Sequence, residues 1–195
     1  TIEIEELASL LESLPVKVDR LMFDACLMQG VETAYALRNS ANWIIGSPAE
    51  IPGYGAPYDK VVPLFFGKHS NVADIMYEYK MFYDHTLNGV VLSVVCASFM
   101  QELAECSRYY IKKYFAQAVE NDYSSCLAYV PGAAYDGTPS YPAYYDMNAV
   151  MKLLLGDDEY ATWKEVFDRA LPCVMVSNSK YVYSGIVRRR VMVDA

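Results

Sequence analysis

The run GVVLSVVCAS, residues 89–98, constrains the fold more than any other stretch of the chain. Successive side chains of a strand point to opposite faces, and here both sets are apolar or small. Such a strand is stable only at the centre of a sheet covered on both sides. Apolar residues at helical spacing supply the covers. They recur over residues 72–85, where Ile75, Tyr79 and Phe82 share a face, and over residues 99–119. With 195 residues, 54 % of them hydrophobic, the chain has material for one such α/β domain and little more. Strands alternating with helices predict a mostly parallel sheet with helices on both faces.

The remaining segments fit that plan. TIEIEELASLLESLP reads as an amphipathic helix with Ile4, Leu7, Leu10, Leu11 and Leu14 on one face. After Pro15, VKVDRLMFDAC reads as a buried strand and LMQGVETAYALRNS as a helix; NWIIGS is a second strand. PAEIPGYGAP is a loop in which Gly53 and Gly55 supply unusual backbone angles. Helices are expected over residues 58–66, 147–155 and 159–171, then strands in CVMVS and GIVRRRVMV. Residues 124–145, rich in Tyr, Pro and Gly, read as an ordered surface excursion. No internal repeat divides the chain. Its opening on a charged helix and its stop on a strand-like pattern both read as cuts from something larger.

Charge and residue counts exclude several classes. Lys+Arg 16 against Asp+Glu 24 gives −8, which argues against nucleic acid as a partner, because phosphate affinity rests on clustered cations. No run of 18 or more apolar residues marks a membrane span, and no signal-peptide core opens the chain. Five cysteines without a CxxC pair argue against a disulfide scaffold or a thiolate zinc site. Only His69 and His85 are available as histidine bases.

Asp24-Ala25-Cys26-Leu27-Met28 closes the first expected strand just before a helix. Loops at the carboxyl ends of strands open onto the crevice where α/β sites gather. A cysteine there is favoured as thiolate by helix N-terminal amides, and backbone N–H groups of the turn can cradle an oxyanion. The other reading of Cys26 is a buried thiol. For Asp24 the choice lies between a site carboxylate and one that caps the following turn.

RLMFDACLMQGVETAYALRNSANWIIGSPAEIPGYGAPYD resembles the clostripain family of cysteine peptidases, within the group that includes caspases, legumains and gingipains. The resemblance rests on FDACLM, an E-AY-LR helix, a strand ending in Ser and an E-x-P-G-x-G-x-PYD loop. It implies a caspase-like three-layer sandwich and a cysteine endopeptidase acting after basic P1 residues, Arg or Lys. Carried over by position, Cys26 is the nucleophile, Asp24 helps form the P1 pocket, and Ser47 to Glu50 edge the substrate cleft. The chemistry agrees. A thiolate attacks the peptide carbonyl, a histidine moves the protons, and a shielded carboxylate selects a cationic side chain.

Two positions depart from the family pattern. Many relatives carry Asp between the two loop glycines, where this chain has Tyr54, whose ring either stacks on a guanidinium or closes the pocket. Asp59 is either a replacement carboxylate or, more in keeping with its place, a helix N-cap. The family's catalytic histidine precedes the cysteine in a His-Gly motif, and no histidine precedes Cys26 here. The resemblance therefore implies a partner: an upstream processed chain of the same precursor that carries the histidine. Residues 1–195 would then be the Cys-bearing portion of one domain. His69 and His85 read as surface residues, with a Cys-then-His order as the alternative.

Weaker signals read as structural. Cys96, Cys106 and Cys173 read as core thiols, and Cys126 opens the Tyr-rich segment. No cofactor is implied by the residues. Some relatives use calcium, but the acidic clusters at 3–6 and 156–159 lack the alternating spacing of a calcium loop. Arg188, Arg189 and Arg190 alternate faces of a strand and make a weak anionic-ligand footprint. The resemblance further implies export from a bacterium to the periplasm, cell surface or medium. The rival reading is a non-catalytic relative with a binding or structural role.

Overall fold

The computed structural model describes residues 2–86, 89–127, 129 and 144–177, and the backbone of residues 181–184 and 189–192. Its centre is a four-stranded sheet, β1 (Val18–Met22), β2 (Ala41–Gly46), β3 (Val91–Cys96) and β4 (Cys173–Val176), in that spatial order. Strands β5 (Tyr181–Ser184) and β6 (Arg189–Met192) form a separate antiparallel pair. Arg188 lies outside the described residues, as does most of the 124–145 segment.

β3 is the doubly buried strand expected at the centre, with Val91 through Val95 all at or below 5 % exposure. Residues of β2 and β3 alternate between two cores. Ile44 and Val95 face one cluster with Leu37, Met100, Leu103, Met151 and Trp163; this side carries α1 (Ile4–Glu12), α2 (Val31–Ala36), α5 (Met100–Lys113), α7 (Met147–Leu154) and α8 (Asp157–Ala170). Ile45, Leu92 and Val94 face the other with Val61, Ile75, Met76, Tyr79 and Tyr83, under α3 (Tyr58–Phe66) and α4 (Val72–Asp84). Helices on both faces of a sheet make the three-layer α/β architecture. Each fully buried Val, Ile or Leu contributes roughly 1.5–3 kcal/mol, so both layers are held firmly.

The described sheet is mixed. β1 and β2 are parallel, joined through the single helix α2, whereas β2–β3 and β3–β4 are antiparallel. One helical leg returns the chain to start a strand in the same sense; the two legs α3 and α4 start β3 in the opposite sense. This topology places the carboxyl ends of β1, β2 and β4 and the amino end of β3 along one margin of the sheet.

Several boundaries differ from expectation for local reasons. In α1 the packed face is Ile4, Leu7, Ala8 and Leu11; Leu10 is 58 % exposed and Leu14 lies beyond the helix end. At 100° per residue Leu10 turns away from that face, and Ala8 at its centre lets the helix approach closely. In α4 Phe82 is exposed, and Tyr83 completes the buried line from Ile75 through Tyr79. The helix expected over 99–119 breaks at Tyr114, where α5 ends and α6 (Phe115–Glu120) begins. The helix expected from residue 27 starts only at Val31. Asp59 sits inside the first turn of α3 rather than at its N-cap, which is Pro57, and pairs with Lys60.

Candidate functional site

Two connections leave the same margin of the sheet from adjacent parallel strands: 23–30 after β1 and 47–57 after β2. Backbone bonds zip them together. Phe23 N–H donates to Ile45 O at 2.9 Å, Leu27 N–H to Ala49 O at 3.0 Å and Gln29 N–H to Ser47 O at 3.2 Å. The residue after Cys26, Leu27, takes a left-handed backbone with φ +61, unusual for a residue with a Cβ. That turn leaves Cys26 as the exposed cysteine of the five. Its Sγ accepts from the Ile51 N–H at 3.2 Å and lies 3.7 Å from the Ile51 carbonyl. The helix start stands five residues further on, so the backbone of the 47–57 loop, not a helix end, is what the sulfur meets.

Gln29 locks the base of the turn. Its Nε2 donates to Ile44 O at 3.2 Å and Ser93 O at 3.1 Å, tying the turn to both central strands. Its Oε1 is buried without a partner. Gly46 passes so close that a Cβ there would lie 2.6 Å from this oxygen.

Asp24 is the hub of the neighbouring loop. Its Oδ2 accepts from the Ala56 N–H at 2.9 Å and the Tyr58 hydroxyl at 2.5 Å; its Oδ1 accepts from the Tyr79 hydroxyl at 2.6 Å. Partial burial pushes the carboxyl up, but the bonds from Tyr58, Tyr79 and Ala56 together outweigh it and hold it below the usual carboxylate range. The phenols shift the other way. Burial and its bond to Asp24 raise Tyr79; Tyr58's own bond to Asp24, with a smaller contribution from burial, raises Tyr58. Tyr83 donates to Gly55 O at 2.9 Å, and burial pushes it up to about 12. Gly55 is left-handed at φ +66, and a Cβ there would stand 2.5 Å from Asp24 Oδ2.

The expected site residues therefore divide. Cys26, Asp24 and the loop bearing Tyr54 gather at one margin, with Tyr54 80 % exposed between the two glycines. Glu50 is half-buried one residue before Ile51. Ser47 is fully buried, and its Oγ accepts from the Ala49 N–H at 3.1 Å. Its side chain shapes the loop from inside. His69, in the α3–α4 turn, and His85, at the end of α4, are both exposed. The Cys26 sulfur is bonded to the Ile51 backbone, not to either histidine.

The roles of Tyr58, Tyr79, Tyr83 and Gln29 emerge only in the structure, although Tyr58 is the Tyr of the PYD loop. Tyr79 was expected merely as part of an apolar helix face, and its paired hydroxyl bond leaves no trace in periodicity. Among the described residues no group of three His, Cys, Asp or Glu is placed to hold a metal ion. Glu159, in the acidic cluster at 156–159, is engaged by Lys113 and Tyr114. Cys106 and Cys173 pack against the two cores, where burial raises their thiols. No described helix is long and apolar enough to cross a membrane.

The model of the clostripain family matches residues 1–184. The structure is similar to a clostripain from Bacteroides thetaiotaomicron in complex with the peptide inhibitor BTN-VLTK-AOMK, at 23 % identity and TM-score 0.86, across 100 % of this chain and 82 % of that one. It is similar to a B. fragilis cysteine protease at 27 % identity and TM-score 0.84, over 99 % and 80 % of the two chains. A third similar structure is a secreted C11 cysteine protease from Bacteroides thetaiotaomicron in complex with an irreversible peptide inhibitor. It is 30 % identical with TM-score 0.81, and this chain, covered over 99 %, spans 54 % of it. No curated protein matches the chain.

Proposed function

The chain belongs to the clostripain family of cysteine peptidases, and from that premise we propose that it hydrolyses peptide bonds through Cys26, after basic P1 residues selected by Asp24. The observation that carries the reading is the placement of an exposed Cys26 sulfur beside a loop whose other end wraps the Asp24 carboxylate. Sγ attacks the scissile carbonyl and forms a thioester; the amine leaves with a proton from a histidine, and water then attacks the thioester and returns Sγ. Asp24, polarised by three donors, stays anionic and accepts a Lys or Arg side chain. The peptide part of the inhibitor bound to the first structural relative, VLTK, ends on Lys and supports a basic P1. Tyr54 and Glu50 would border the substrate.

The histidine would come from an upstream segment of the same precursor, with residues 1–195 as the Cys-bearing part of one caspase-like domain. Within the described sheet β1 pairs with β2 alone, so its second edge is open for a further strand that sets the histidine beside Cys26. The secreted relative supports export.

Labelling with a peptidyl electrophile carrying P1 Lys or Arg tests the nucleophile. We expect labelling of the full-length protein and none of Cys26→Ala; equal labelling of both overturns the assignment. Intact mass of an active sample tests the partner: finding the 195-residue chain alone, with no upstream segment, overturns it.

A further inference from the structure

The hydrogen-bond capacity of Asp24 is unevenly spent. Each carboxylate oxygen offers about two acceptor sites. Oδ2 has both filled, by the Ala56 N–H and the Tyr58 hydroxyl, whereas Oδ1 has one filled, by Tyr79. A Lys ammonium is a point charge and needs one free site, which Oδ1 has. An Arg fork binds in parallel to both oxygens, so it also needs a site on Oδ2.

Of the three donors, only one can step aside. Ala56 N–H belongs to a backbone pinned beneath the left-handed Gly55, and Tyr79 is fully buried. Tyr58 is 55 % exposed, at the first position of α3, and its ring can rotate into solvent. Arg therefore binds at the cost of the Tyr58 bond, and Lys does not.

We propose that Tyr58 is a positioning residue that sets a preference for Lys over Arg at P1 by occupying the Asp24 oxygen site an Arg fork requires. The inference rests on the reading of Asp24 as the P1 carboxylate. One charge-assisted hydrogen bond corresponds to about a tenfold change in a rate ratio.

The test compares kcat/KM for a matched pair of peptides ending in Lys or Arg, using the full-length enzyme and Tyr58→Phe. The wild type is expected to favour Lys by about tenfold, and Tyr58→Phe to bring the ratio close to one by raising cleavage after Arg. A gain on one substrate is not a result that damage to the fold can produce. A wild type that favours Arg, or a ratio unchanged in Tyr58→Phe, overturns the role of Tyr58 while leaving the basic-P1 reading in place. Cleavage after neither residue overturns that reading and this inference with it.

Discussion

Gly55 turns left-handed, at φ +66, directly against the Asp24 carboxylate, with room for no side-chain atom between them. A Cβ would meet Oδ2 at 2.5 Å. Gly55→Ala therefore combines an unfavourable backbone with a steric clash, and about 1–3 kcal/mol of stability is expected to be lost. Thermal unfolding measures it. Cleavage after basic residues should fall further than stability alone accounts for, because Asp24 must move for the methyl to fit.

Tyr79→Phe removes the buried donor to Asp24 Oδ1. Loss of a bond to a charged group costs about 1.5–3 kcal/mol, read as a lower urea midpoint. The native Asp24 carboxyl lies below its usual 3.8, so its contribution is present above that pH and lost as pH falls through the native value. With one donor gone the carboxyl rises, and the acid limb of kcat/KM should shift to higher pH. An unmoved acid limb would contradict the role of Tyr79 in holding Asp24 ionised.

At alkaline pH the sign reverses. Tyr83 is raised from 10 to about 12, so it keeps its proton in the folded chain where the unfolded chain has lost it. Its contribution is full below pH 10 and is lost as pH climbs through about 12. Stability should fall across that window, and Tyr83→Phe should flatten the fall. Equal slopes in the two proteins would count against this.

Gly46→Ala drives a methyl into Gln29 Oε1, whose amide is tied to Ile44 and Ser93 and cannot swing freely. The expected loss is about 1–3 kcal/mol. In a Gln29→Ser background, where the oxygen it meets is gone, Gly46→Ala should cost less than in the wild type, giving a non-additive double-mutant cycle. Strict additivity would show that the two residues do not meet.

How far the fold was readable in sequence depended on whether the signal was local. The run at 89–98 carried its own burial on both faces, and the PYD loop and FDACLM turn carried the family resemblance, so the three layers and the place of Cys26 and Asp24 followed. The strand directions did not: the antiparallel β2–β3 and β3–β4 pairings leave no mark in sequence, because the alternation of side chains is the same for a strand running either way. Leu10 and Phe82 lie at the rims of apolar stripes, where a turn of some tens of degrees decides exposure. Tyr79 was visible as an apolar helix position; its hydroxyl finds Asp24 from 55 residues away, a pairing that only the packed chain creates.

Within the described sheet β1 is paired on one side, and that bears on how copies of the chain meet. An edge strand left open invites pairing between copies, and the exposed Asp19, ion-paired with Arg20, which also reaches Leu64 and Ser70, makes poor self-complementary contacts. A strand added there would end that hazard as it completed the sheet. Self-association of the 195-residue chain at rising protein concentration measures how far those charges keep copies apart.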